Sequence, residues 1–579
     1  MLHAAQRLVA GRQPLGCLSR RLMMRSRPSA AANSLITSNS EQSFCSSSDR
    51  EKQIEAELTR AQPASTAPLI TKHRKEVMVN RSGLLPTRMS HAKDDRPPLE
   101  GLARELEQMI MLSGPITVAE YMMYALQHPT HGYYMRREEK IGKGGDFITA
   151  PEISQAFGEM IGIWCVASWK EMDCPRKVRL VELGPGKGTL MTDVLRAASS
   201  FPDFRKALTL HMVETSSDLR ALQVEALGAT MKAASSSSSS SAPKAREAGH
   251  APQSKGDAMQ LSGGGEVFWH SKLDEVPKGQ PTLIIGQEFL DALPVHQFQY
   301  TAKGWRERLV DINTPCDGSV AQRPGETDPS AEKAGGADEQ QQKQKKEEEE
   351  EEPDFRFVIS ANETVAVKAF LTKQDTQDKK LVMGGLGAGS SRREARRTGA
   401  GAGGSRPGPR GEKVGDRLEV SGESIILIRD VAQRVAEDGG GALFVDYGEA
   451  HALDDSLRCF KGHQEVPVLS APGEADMTAD VNFGLLRRIV DKVEGARPHG
   501  PVGQGQFLRE MGIGARLTAL AEQPSVTTEQ AEAMLEGYVR LVDPAQMGTR
   551  YKVLGITEAK NKMPPPGFMS EIDLDVRKD

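Results

Sequence analysis

Val178-Arg179-Leu180-Val181-Glu182-Leu183-Gly184-Pro185-Gly186-Lys187-Gly188-Thr189 reads as a buried strand, a glycine turn and the start of a helix. Such a turn brings bare backbone N–H groups and a helix N-terminus against a ligand, with no Cβ in the way. The spacing decides which ligand. Dinucleotide sites use G-x-G-x-x-G, whereas the glycines here run G-x-G-x-G. A phosphate loop needs Gly-Lys followed by Ser or Thr, and Lys187 is followed by Gly188. Glu182, two residues before the first glycine, suits a cationic or polyhydroxyl ligand better than a pyrophosphate.

Leu208-Thr209-Leu210-His211-Met212-Val213-Glu214 is a second short apolar run ending in an acid. In doubly wound folds an acid at the tip of the second strand takes ribose hydroxyls. Turn and acid fall in register, which disfavours an ordinary turn beside a surface acid. The pattern E-x-G-x-G-x-G resembles motif I of the seven-strand methyltransferases, which bind S-adenosylmethionine. The G-x-G-x-G spacing disfavours a nicotinamide oxidoreductase.

The chain has 579 residues and only 38% apolar content, with mean hydropathy −0.45. That is low for one compact fold, and a few polar stretches account for it. Residues 233–264 hold the serine run Ser235 to Ser241. Residues 313–353 end in the glutamates Glu347 to Glu352, and residues 373–416 are rich in Gly, Arg and Ser. All three read as disordered insertions. Net charge is −5, which gives no global electrostatic case for nucleic acid. The six cysteines form no C-x-x-C pair, so neither a zinc ribbon nor a disulfide framework is indicated. In His128-Pro129-Thr130-His131, Pro129 argues for a turn rather than a metal-binding helix face, and no metal site is expected.

From Met1 to Ser40 there are arginines at 7, 12, 20, 21, 25 and 27, many Ser and Ala, and no acid. That composition predicts a mitochondrial transit peptide over residues 1–45, with a disordered linker over 46–97. No apolar run approaches the length of a membrane span. A helical cap and cofactor-covering loop are expected over 98–175. Core elements then span 176–312, 354–372 and 417–560, and a tail spans 561–579. Helices are predicted over 102–112, from Thr117 to Gln127, over 153–170 and over 424–437. Strands are predicted over 178–183, 208–213, 267–269, 282–287, 354–359, 442–448 and 551–554. Strand alternating with helix predicts a parallel sheet with right-handed crossovers.

The reacting centre of an open α/β sheet lies beyond the carboxyl ends of its strands. There the strand over 282–287 runs into Glu288-Phe289-Leu290-Asp291-Ala292-Leu293-Pro294. Two carboxylates three residues apart can orient a guanidinium, stabilise its charge and help accept the proton lost on methylation. Glu288 and Asp291 are therefore the candidate catalytic residues. The bland alternative has Asp291 capping a following helix and Glu288 facing solvent. Asp446, at the tip of another strand, is a candidate substrate contact, with a structural Asp turn as its alternative. For the acids Asp476 and Asp480 helix capping is the favoured role, with a substrate loop as its alternative.

In this order the chain resembles the MidA family, mitochondrial complex I assembly-factor arginine methyltransferases and their bacterial relatives. The matching phrases begin with His128-Pro129, Gly132-Tyr133-Tyr134 and Gly145-Asp146-Phe147-Ile148-Thr149-Ala150-Pro151-Glu152-Ile153-Ser154-Gln155. They continue with Glu182 to Thr189, Glu288 to Val295, Asp446-Tyr447-Gly448 and Thr478-Ala479-Asp480-Val481-Asn482-Phe483. The resemblance implies an α/β fold: a seven-strand, Rossmann-like methyltransferase core with added helical N- and C-terminal elements. It implies S-adenosylmethionine as methyl donor. It also implies an arginine of a complex I core subunit as acceptor, with symmetric dimethylation in the matrix. By the same resemblance Gly184, Gly186 and Gly188 cradle the cofactor with Glu182, and Glu214 holds its ribose. The loop that includes Gly145, Asp146 and Thr149 folds over the cofactor, and Tyr134 joins Asp446 on the substrate side. Gln287 is a departure, since relatives often carry His or Asn there, and it bears on selectivity if it touches substrate. Association as a homodimer stays open. The competing functional reading is an assembly chaperone that binds S-adenosylmethionine without catalysis.

Overall fold

The computed structural model describes residues 99–135, 148–231, 258–313, 354–372, 412–561 and 563–569. The segments expected to be a transit peptide and a linker, with Gly145, Asp146 and most of the three expected insertions, lie outside the described residues.

Seven long strands build the main sheet. They are β1 (Val178–Leu183), β2 (Leu208–Val213), β3 (Glu266–His270), β4 (Thr282–Gln287), β5 (Gly440–Glu449), β6 (Ala496–Gly503) and β7 (Tyr551–Glu558). Their order is β6-β7-β5-β4-β1-β2-β3. The strands from β5 to β3 run parallel, and β7 is antiparallel to both β5 and β6. β1 and β4 sit at the centre and are buried along their whole length, which suits their mostly apolar sequences. Successive side chains point to opposite faces. Leu180, Met212 and Leu283 pack with Trp164 and Val194 on one face. Val181, Ile284 and Phe444 pack with Ile428 and Val435 on the other. Helices α1 (Gly101–Ser113) and α2 (Val118–Gln127) pack with the strand Gly304–Ile312 of a separate sheet, and α3 (Gln155–Glu171), α4 (Thr189–Ala198), α5 (Ser217–Ala226), α6 (Gly422–Asp438) and α7 (Thr528–Val542) pack about the main one. Thr117 and Glu120 close a capping box at the start of α2, which fixes the boundary expected there.

The structure corrects four expectations. The strand Phe355–Ile359 does not join the main sheet: it pairs antiparallel with Gly304–Ile312 in a separate sheet. That sheet also holds Ile116–Thr117, His296–Thr301 and Arg417–Val420, and its hairpin turns at Gly304 with φ 88°. The insertion over 233–264 ends earlier, because Met259–Gln260 pairs with β3 and with Thr230–Met231. The insertion over 373–416 also ends earlier: Asp416 accepts from Lys413 N at 2.8 Å and gives its carbonyl to Tyr300 N at 2.7 Å. The described part of the tail, 563–569, is anchored, because Phe568 is 0% exposed and meets Phe507 edge-on at 5.7 Å. Phe568→Ala is expected to destabilise the chain by about 3–5 kcal/mol, read as a fall in the denaturant midpoint.

β6 escaped the sequence reading because it carries Pro498 and Pro501. It lies at the sheet edge, where a missing N–H costs no ladder bond, and a bulge separates His499 from Val502. A three-stranded sheet of Arg458–Lys461, Gln464–Val466 and Asp476–Thr478 was likewise unforeseen. It brings Asp476 and Thr478 to the ends of β4 and β5.

Candidate active site

β1 ends in a turn that only glycine tolerates without strain. Gly184, Gly186 and Gly188 have φ of 61°, 51° and 83°, the left-handed region. A Cβ on Gly184 would stand 2.6 Å from the Phe289 ring. Gly184 N donates to Val213 O at 3.0 Å, which ties the turn to the end of β2. Gly188 is the N-cap of α4, so the helix N-terminus opens onto the turn.

Two buried acids flank it. Glu182 is 2% exposed, and its Oε2 has no hydrogen-bond partner. Glu214 is 8% exposed and accepts from Ser216 N at 2.8 Å. Burial, then the Glu214 charge, pushes Glu182 up to about 8. Burial also raises Glu214, against the backbone donors of Ser216 and Thr215 and the Gln223 amide. Gln223 was missed by the sequence reading, since a lone Gln on α5 carries no local signal. It is 0% exposed and donates to Gly186 O at 2.8 Å and Glu214 Oε2 at 3.3 Å. Its Oε1 accepts from Trp269 Nε1 at 2.8 Å, so one amide links turn, acid and β3. A turn without Cβ atoms, beside a helix N-terminus and an unpaired buried carboxylate oxygen, fits a cofactor that carries both hydroxyls and positive charge.

The second element is the turn after β4. Glu288 has φ 47°, and its N–H donates to Val445 O at 2.9 Å. A bulky residue held left-handed is strained unless its surroundings fix it. Asp446 supplies the fixing. Its Oδ2 accepts from the N–H groups of Phe289, Leu290 and Asp291 at 3.1, 2.9 and 3.3 Å. Its Oδ1 accepts from Tyr447 N at 2.9 Å, and the residue is 1% exposed. Asp446 therefore stands behind the turn, and its expected role as a substrate contact is corrected to a structural one.

Glu288 and Asp291 come together as expected. Glu288 Oε1 accepts from Ala150 N at 3.0 Å and from Gln287 Nε2 at 2.7 Å. Asp291 Oδ2 accepts from the Tyr447 hydroxyl and from Thr478 Oγ1 at 2.8 Å. Asp291 Oδ1 and Gln287 Oε1 are buried with no partner. The bland alternative fails: no helix follows Asp291, and Glu288 is half-buried rather than exposed. Tyr134 reaches the same cluster, its hydroxyl donating to Asp476 Oδ1 at 2.9 Å. Asp480 pairs with Arg458 at 2.7 Å and Arg550 at 2.6 Å. The cap of the helix Phe483–Val490 is Asn482, which corrects the capping expected of Asp476 and Asp480.

A four-residue helix, Ala150–Ile153, bridges the two elements. Thr149 is its N-cap. Ala150 donates to Glu288, and Glu152 Oε1 accepts from Thr189 Oγ1 at 2.5 Å, at the first residue of α4. Of the loop expected to cover the cofactor, Thr149 is thus placed beside both elements, whereas Gly145 and Asp146 lie outside the described residues.

Burial, with the Asp291 charge, pushes Glu288 up to about 7. Burial raises Asp291, and burial with the charges of Asp291 and Glu288 raises Asp446. For Glu182 and Glu288 the folded chain holds a proton that the unfolded chain releases near the ordinary value of 4.5. Their stabilising contribution is fully present below that value and is lost as pH rises through about 7 to 8. The melting temperature of the cofactor-free chain is expected to fall from about pH 5 to about pH 9, and less steeply in Glu182→Gln. An equal slope in the variant would contradict this.

Residues 160–502 match the sequence model of a family of S-adenosyl-L-methionine-dependent methyltransferases. Among curated relatives, the mitochondrial protein arginine methyltransferase NDUFAF7 homolog of Drosophila melanogaster is 35% identical, covering 81% of this chain and 88% of the relative. The mitochondrial protein arginine methyltransferase NDUFAF7 of Homo sapiens is 34% identical, over 79% of this chain and 84% of the relative. A Burkholderia thailandensis crystal structure with bound S-adenosyl-homocysteine shares the fold at TM-score 0.53 and 21% identity, over 82% of this chain and 98% of that one. The chain belongs to this MidA-like family of methyltransferases, and its cofactor is S-adenosylmethionine.

Proposed function

We propose that the chain is a protein arginine N-methyltransferase of the mitochondrial matrix. Its acceptor is an arginine of a complex I core subunit, and its product is symmetric dimethylarginine. The observation that carries the arginine reading is a surplus of acceptors. Asp291 Oδ1 and Gln287 Oε1 are buried without donors next to the Glu288 carboxylate. A guanidinium brings five N–H donors in a planar fork and no acceptor, which is the complementary inventory. The relatives' names, protein arginine methyltransferase and mitochondrial, support the same reading.

Gly184, Gly186, Gly188, Glu182 and Glu214 hold the cofactor, and Thr149 stands beside them at the start of the helix Ala150–Ile153. When bound, the cofactor supplies a methyl group on a sulfonium, and the C–S electron pair leaves to sulfur, giving a neutral thioether. Glu288 and Asp291 hold the guanidinium so that one nitrogen faces that methyl group. As the new N–C bond forms, that nitrogen must lose a proton. Glu288, with a pKa near 7, is suited to take it.

The test is the chemistry of the product. Label transferred to purified complex I core subunits is released by acid hydrolysis, and the methylated amino acids are separated. Symmetric dimethylarginine is the expected species. Label on lysine, or monomethylarginine alone at full turnover, would overturn the corresponding part of the proposal.

A further inference from the structure

Asp291 presents its two oxygens asymmetrically. Oδ2 accepts from two hydroxyls, those of Tyr447 and Thr478, while Oδ1 is buried and has no partner. The two hydroxyls come from different elements: Tyr447 from β5 and Thr478 from the three-stranded sheet. The Tyr447 ring is itself fixed. It meets the Tyr551 ring edge-on at 5.5 Å. The guanidinium groups of Arg458 and Arg550 stand 5.6 and 5.9 Å from its centre, and both are pinned by Asp480. A ring held on three sides has a hydroxyl with one direction to point. Asp446 completes the arrangement by fixing the Asp291 backbone N–H.

We propose that Tyr447 and Thr478 are positioning residues that lock one oxygen of Asp291 and thereby reserve the other for the acceptor guanidinium. This rests on the arginine reading of the same site. It goes beyond that reading in naming residues that touch neither cofactor nor acceptor but set the geometry of one that does. A carboxylate free to rotate would share its donors between both oxygens and meet the guanidinium in many orientations, which weakens bidentate pairing.

The lock also acts on the charge. Burial raises the Asp291 pKa, and the hydroxyl donors Tyr447 and Thr478 pull it back toward the ionised form. The other titratable groups that face this cluster are Glu288, Asp446, Asp476, Tyr134 and Tyr551. All of them stay in place in Tyr447→Phe and Thr478→Val, which keep shape and remove only a hydroxyl. Asp291 in either variant should then ionise at higher pH.

The experiment measures arginine methylation of purified complex I core subunits by the full chain and by these two variants, across pH. Each variant is expected to lose roughly ten- to a hundredfold in kcat/KM, to bind S-adenosylmethionine as wild type does, and to show its acid limb displaced to higher pH. A loss that is the same at every pH, with the acid limb unmoved in both variants, would overturn the proposal, because a merely structural defect acts so. If wild type labels no arginine, the arginine reading fails on its own. The inference is then read from methylguanidine titrated into the chain with S-adenosylhomocysteine present. Binding weakened in both variants upholds the lock, and binding equal to wild type refutes it.

Discussion

Glu288→Ala is expected to reduce methyl transfer by about a hundred- to a thousandfold or more, with the affinity for S-adenosylmethionine changed less than about threefold. The asymmetry follows from where Glu288 sits. Its carboxylate accepts from Ala150 N and Gln287 Nε2, whereas the glycine turn is tied to Val213 and Gln223. Removing it takes away a charge that pairs with the guanidinium and an acceptor for the departing proton. It leaves Asp446 holding the turn through Phe289, Leu290 and Asp291. Glu288→Gln is the companion, keeping volume and an acceptor for Ala150 N while removing the charge. Label transfer and calorimetric cofactor binding, measured on the same preparations, check the pair. Equal loss of transfer and of cofactor affinity in Glu288→Ala would contradict the division of labour.

Gly186→Val is expected to do the reverse: cofactor affinity lost by about a hundredfold or more, and transfer lost with it. Gly186 has φ 51°, where a β-branched side chain is an outlier. Holding valine there costs about 1–3 kcal/mol, and the chain relieves that strain by moving the turn. Movement displaces the Gly186 carbonyl from Gln223, and Gln223 also holds Glu214 and Trp269. The whole cradle therefore shifts with one residue. Calorimetry with S-adenosylmethionine measures the loss, and near-ultraviolet circular dichroism shows that the fold persists. Wild-type affinity in this variant would remove the glycine turn from the cofactor site.

The parts legible in sequence were those whose cause is local. The glycines of the turn after β1 stand where backbone must go left-handed, and β1 and β4 are short, mostly apolar segments that run straight into turns. Glu288 and Asp291 could be placed because a strand tip fixes where its next residues point. What was not legible depends on partners distant in the chain. The role of Asp446 appears only when its carboxylate meets three N–H groups at Phe289, Leu290 and Asp291. Gln223 gains meaning from Gly186, Glu214 and Trp269. Strand β6, with two prolines, reads as a loop until its edge position is known. The short strand Phe355–Ile359 has the right pattern for a core strand, but pattern alone does not name its partner.

The same distinction explains why the glycine turn speaks more clearly about cofactor than about acceptor. Backbone geometry in a turn is written by residue type. The acidic cluster proposed to meet the acceptor is assembled from Glu288 and Asp291 after β4, with Tyr447 of β5, Thr478 of the three-stranded sheet and Tyr134 of the turn Tyr133–Met135 around them. Only their convergence shows which carboxylate oxygen is left without a donor.

Transfer of label from S-adenosylmethionine to isolated complex I core subunits, with the modified residue located by mass spectrometry, decides whether Glu288 serves methyl transfer to arginine. Label is expected on arginine with the wild-type chain, and at least about a hundredfold less with Glu288→Ala at a cofactor concentration that saturates both. Label on another residue type, or undiminished arginine label with Glu288→Ala, would contradict that expectation.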